Sequence, residues 1–120
     1  MEDNKMVKCR FLYFPETCLI CEIKGHAGYN PGNDIVCSAI SALAYTLVGA
    51  ARDICGINQA RYKDEPGNFL LDIPIKDLSS PIYGKLKTIF LTVYTGIKLI
   101  AKSYPDNVEV NFINHDKLQE

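Results

Sequence analysis

Apolar and polar positions alternate loosely from Met6 to Phe14, a run rich in aromatic and aliphatic residues, and predict a strand that ends in the turn Pro15-Glu16-Thr17. Cys18 to Lys24 predicts a second strand with Leu19, Cys21 and Ile23 on one face. Gly25 to Asn33 is dense in turn formers and reads as a loop. From Asp34 the period lengthens. Val36, Ile40, Leu43, Ala44, Leu47, Val48, Ala51 and Ile54 recur in steps of three and four, the stripe of an amphipathic helix, and Gly56 sits where a left-handed cap is needed. Two short strands, Gln59 to Lys63 and Asn68 to Ile75, flank the turn Asp64-Glu65-Pro66-Gly67. A second helix starts with Ser80 as cap and Pro81 at the first helical position. Its stripe runs through Ile82, Leu86, Ile89, Phe90, Val93, Ile97, Ile100, Ala101 and Tyr104, and Pro105 stops it. Val108 to Ile113 alternates as a last strand. The order β-β-α-β-β-α-β predicts an α+β fold, two helices packed on a mostly antiparallel sheet.

A chain of 120 residues, 48% of them hydrophobic, fits one domain over residues 1–120 with a proper core. The 13 basic and 14 acidic residues leave a net charge of −1, which draws in neither nucleic acid nor an anionic membrane. That balance weighs against a nucleic-acid role for the lysines of the second helix. The polar start Met1-Glu2-Asp3-Asn4-Lys5 has no apolar core of a signal peptide behind it, and Lys85, Lys87 and Lys98 interrupt the apolar-rich stretch from Ile82 to Ala101. Five cysteines without a secretory signal point to free thiols in a reducing cytosol, hence a cytoplasmic protein. Cys18 and Cys21 form a C-x-x-C, but residues three apart on a strand project to opposite faces. Nothing nearby completes a set of four ligands, so no metal is expected. Cys9 and Cys55 read as core or helix-end residues, and His115 as a solvated residue near a polar tail.

The chemistry concentrates where the loop meets the first helix. Cys37 falls in the first turn after Asp34, where main-chain N–H groups lack intrahelical partners and favour a thiolate. Ten residues separate it from His26, a loop flexible enough to bring imidazole and sulfur together. Such a pair can attack a carbonyl and protonate a leaving amine, and helix-start N–H groups, that of Cys37 included, can hold an oxyanion. By spacing alone, a small buried cysteine beside turn-shaping glycines is the commoner arrangement.

Gly25-His26-Ala27-Gly28-Tyr29, then Gly32, Asp34-Ile35-Val36-Cys37 and Ser41-Ala42-Leu43, resemble the signature of the ribosomal-processing cysteine proteases called Prp. Gly96-Ile97-Lys98-Leu99-Ile100-Ala101, Tyr104-Pro105 and Val108-Glu109-Val110 resemble that family's second helix and last strand. The resemblance implies a homodimeric, cofactor-free endopeptidase with His26 and Cys37 as its dyad. It also implies a substrate: the short N-terminal extension of the twenty-seventh protein of the large ribosomal subunit, cut after aromatic residues and before a small one. The glycine-rich loop would gate or bind that peptide. Lys24 departs from the pattern, which usually has serine there.

Other residues carry two readings each. Asp34 is an N-cap and an orienter for His26. Ser41, one turn after Cys37, lines a substrate pocket or permits close helix packing. Ser38 suits the first turn and points elsewhere. Tyr29 contacts substrate or packs as a lid. Leu91, Tyr94 and Leu99 fall off the main stripe of the second helix, as a partner surface would. The rival to a peptidase is a catalytically silent, ribosome-associated dimer.

Overall fold

The computed structural model describes residues 6–29 and 34–115. Strands β1 (Val7–Phe14) and β2 (Cys18–Lys24) lead into helix α1 (Ile35–Asp53); β3 (Arg61–Glu65) and β4 (Asn68–Pro74) lead into α2 (Ser80–Ser103), and β5 (Val108–Asn114) closes the order. The five strands form one sheet in the order β3-β4-β2-β1-β5. All neighbours run antiparallel except β1 and β5, which are parallel from Val7 opposite Val108 to Tyr13 opposite Asn114. The predicted α+β class and element order are observed.

Period-two patterning decides which face of the sheet is covered. Cys9, Phe11, Leu19, Cys21, Ile23, Phe69, Leu71 and Ile73 are buried in one cluster with Ile40, Ala44 and Leu47 of α1 and Leu86, Phe90, Val93 and Ile97 of α2. Phe11 sits at its centre, edge-on to Phe90 and to Tyr94. Burying one such ring is worth about 1.5–3 kcal/mol. The opposite face carries charges: Arg10 bonds Glu22 at 3.0 Å, Lys24 lies 3.7 Å from Glu22, and Arg61 meets Asp72 at 2.9 Å. Cys18 is only half-buried while Cys21 is buried, so the C-x-x-C sulfurs do diverge.

Several local expectations shift. Strand β3 runs two residues later than the pattern suggested, because pairing of Asp64 with Phe69 and Glu65 with Asn68 extends the ladder. The predicted four-residue turn shrinks to Pro66-Gly67, with φ +70° at Gly67, the pattern of a type II turn. The cap of α2 is Ser79, whose Oγ accepts the Ile82 N–H at 3.3 Å, so Ser80 is already helical. Tyr94 packs its ring on Phe11 and Phe112, and Leu99 of the same helix is 60% exposed. His115 stacks on Phe14 at 4.0 Å between ring centres. Among the described residues, the helix long and apolar enough to cross a membrane is α1, not the stretch from Ile82 to Ala101, and its stripe is packed in the core.

Candidate active site

Gly25 ends β2 and starts the site. Its N–H donates to the Gly67 carbonyl at 3.0 Å, which ties the β2 end to the β3–β4 turn. Its φ is +94°, and a Cβ there would lie 2.7 Å from the Met6 carbonyl oxygen, so only glycine fits. The next residue, His26, is exposed, and its ring lies over Gly67: a Cβ on Gly67 would be 2.8 Å from His26 Nε2. The hairpin therefore sets how deep the imidazole can sit.

Ala27 is fully buried. Its N–H donates to Cys37 Sγ at 3.3 Å, and its carbonyl accepts the Asn107 side-chain amide at 2.9 Å. The 25–27 segment is thus anchored at three points. Tyr29, 46% exposed, lies edge-on to Tyr104, and its N–H donates to Asp34 Oδ2 at 3.0 Å.

Asp34 caps α1, with Oδ1 accepting the N–H groups of Val36 and Cys37, both at 3.0 Å. Burial pushes its carboxyl upward, but the Cys37, Tyr29 and Val36 amides outweigh that and hold it below the usual carboxylate range. With both oxygens engaged by main-chain amides, the cap reading of Asp34 is the one observed.

This capping corrects the expected electrostatics of Cys37. Its own N–H goes to Asp34 Oδ1, and the Ser38 N–H goes to the Asp34 carbonyl at 3.0 Å, so neither is free for an oxyanion. Burial pushes the half-buried thiol up; the Asp34 charge adds to the rise, and the Ala27 and Gly28 amides oppose it. Burial and the Asp34 carboxylate together hold the thiol above its ordinary range, and that carboxylate sits at the positive end of the helix. The donors that reach the sulfur come from the 27–28 main chain.

Cys37 and His26 line one cleft of about 400 Å³, within the usual range for a ligand pocket. Among the described residues, no hydrogen bond joins their side chains; apo sites often tighten only on binding. Gly25 and Ser41 line the cleft as well, whereas Ala27, Gly28, Tyr29, Asp34 and Ser38 support it from outside, and Gly32 lies outside the described residues. Lys24 joins Glu22 on the open face, away from the cleft. Sequence reasoning missed the far wall: Asp64, Glu65, Pro66, Gly67 and Asn68 of the hairpin, with Tyr45, whose hydroxyl donates to Asp64 at 2.9 Å. The Pro-Gly turn was visible, but only the pairing of Lys24 with Asn68 carries it to His26.

The sequence pattern of a family described as cysteine protease Prp matches residues 6–109. Among solved structures, SMU.848 from Streptococcus mutans is similar at 25% identity, over 91% of this chain and 95% of that one, with a TM-score of 0.70. The essential ribosomal processing protease Prp from S. aureus is similar in two complexes. With a covalently linked product peptide, identity is 22%, coverage 89% and 99%, and TM-score 0.67. With a substrate peptide, identity is 19%, coverage the same, and TM-score 0.69. No curated protein matches the chain.

Proposed function

The chain belongs to the Prp family of cysteine proteases, and on that premise we propose that it removes the N-terminal extension of the twenty-seventh large-subunit ribosomal protein with a His26–Cys37 dyad. The observation that carries this reading is the convergence of the two side chains in one cleft, with the Ala27 N–H 3.3 Å from the sulfur. His26 takes the proton of the resting thiol as Cys37 Sγ attacks the scissile carbonyl carbon. The tetrahedral intermediate collapses to a thioester as the C–N bond breaks and the imidazolium returns the proton to the departing amine. Water, activated by the neutral imidazole, then attacks the thioester and restores the thiol. The Ala27 amide, 3.3 Å from the sulfur, and the Gly28 amide next to it are the donors for the oxyanion. A substrate peptide passes between α1 and the hairpin.

Support for the ribosomal substrate is the family, together with the peptide complexes of the S. aureus protease. The same membership supports a homodimer in the cytoplasm, which sedimentation and cell fractionation test directly. For the activity itself, the purified chain is incubated with the extended ribosomal protein and the product mass is read. Wild type removes the extension, His26→Ala slows turnover by about 10²–10⁴-fold, and Cys37→Ala abolishes it. Undiminished cutting by Cys37→Ala would sink the dyad; no cutting by any form would return the protein to the silent dimeric module.

A further inference from the structure

The turn between α2 and β5 touches the 26–29 segment twice. Tyr104, the C-cap of α2, packs edge-on to Tyr29 with ring centres 5.2 Å apart, and Asn107 Nδ2 donates to the Ala27 carbonyl at 2.9 Å. Asn107 is itself held rigidly. Its N–H donates to the Tyr104 carbonyl at 3.0 Å, and its carbonyl accepts the Val7 N–H at 2.9 Å, so it is fixed to both the helix end and the first strand.

The geometry points to Asn107 as a positioning residue that aims the Ala27–Gly28 peptide at the Cys37 sulfur. A trans peptide is planar, with its C=O and N–H on opposite edges. Holding the Ala27 oxygen from one side therefore turns the Gly28 N–H to the other, where the Gly28 amide acts on Cys37. The preceding amide, that of Ala27, already reaches Sγ at 3.3 Å. Asp34 occupies the amides of Val36 and Cys37, so among the described residues these two loop amides are the donors placed to stabilise negative charge at the sulfur and at an attacked carbonyl. Asn107 thereby connects a turn 80 residues away to the reacting atoms.

This inference rests on the dyad reading of the site, and the test separates the two. Full-length wild type, Asn107→Ala, Asn107→Leu and Cys37→Ala are compared. Asn107→Leu keeps the size, adds no charge and cannot donate, and carries the test if the alanine variant folds poorly. The readouts are kcat and KM on an extended ribosomal peptide and the pH profile of Cys37 alkylation by iodoacetamide, with mass mapping. The charged groups facing Cys37 are Asp34 from the cap, His26 from the loop, and Asp64 and Glu65 across the cleft, all unchanged in these variants. Both Asn107 variants should lower kcat by roughly 10–100-fold with KM within about threefold, and move the Cys37 profile to higher pH. An unmoved profile with wild-type kcat overturns the inference, as does a lower melting temperature with neither shift. Continued cutting by Cys37→Ala would overturn the dyad alone, since the alkylation profile still reads the link from Asn107 to the sulfur.

Discussion

Gly67 offers the sharpest test of how the hairpin governs His26. Its φ of +70° is left-handed, and alanine there costs about 1–2 kcal/mol. The loss of chain freedom in the unfolded state returns about 0.4–1 kcal/mol of that. A net loss of about 1 kcal/mol should lower Tm by about 4 °C in a domain of this size. The new Cβ would also stand 2.8 Å from His26 Nε2, so the ring must retreat by roughly half an ångström to reach ordinary contact. A 1 Å misplacement costs ~10²-fold in rate, so this shift should lower kcat about tenfold. Gly67→Asn separates the two effects, because asparagine tolerates the left-handed backbone yet still carries a Cβ. Thermal melts and peptide-cleavage kinetics on both variants decide the matter: Asn should recover most of the stability and none of the rate. Wild-type kcat in Gly67→Asn would show that the hairpin does not set the imidazole; an unchanged melt of Gly67→Ala would refute the backbone argument.

Asp34→Ala should lose about 1 kcal/mol of cap stability at neutral pH, while Asp34→Asn keeps most of it. The folded carboxyl of Asp34 lies below its ordinary value, so its contribution is present above about pH 4 and lost as pH falls through the folded value. Urea midpoints at pH 7 and pH 3 should therefore converge for wild type and Asp34→Ala in acid; a constant gap would count against it. Asp34→Asn should also lower the Cys37 thiol by removing the negative charge beside it, which the alkylation profile detects. Among the five thiols, Cys9, pushed up to about 12 by burial, and the buried Cys21 and Cys55 should react last. Cys37 should lead, followed by half-buried Cys18, with Cys37 titrating above an ordinary cysteine when no substrate is bound. Titration well below that of a free cysteine would mean that an imidazolium already pairs with the sulfur.

Much of this arrangement was legible in short-range pattern. The alternation at Leu19, Cys21 and Ile23 and the stripe from Val36 to Ala51 report one-sided burial, which any strand or helix with a single covered face must encode. The resemblance at Gly25-His26 and at Asp34 to Cys37 marked the two residues that meet in the cleft. Burial and the Asp34 carboxylate push the Cys37 thiol up, against the expected lowering at a helix start. Counting free amides at a helix start assumes that the cap takes one of them, but the Asp34 carboxylate takes two and adds its own charge. The end of β3 was misplaced because an exposed edge strand takes its length from its partner, not from its own pattern.

By itself, the sequence determined the class of the fold and the element order, since each depends on neighbours within a few residues, and its family resemblance singled out His26 and Cys37 as the proposed dyad. Only the tertiary structure decided which peptide groups face the sulfur. It also decided that Gly67 supports the imidazole and that Asn107 holds the main chain beneath it, because those contacts span 41 and 80 residues. They arise from pairing β2 with β4 and β1 with β5. Sheet register is a long-range bargain among whole strands, and no local run of residues contains it.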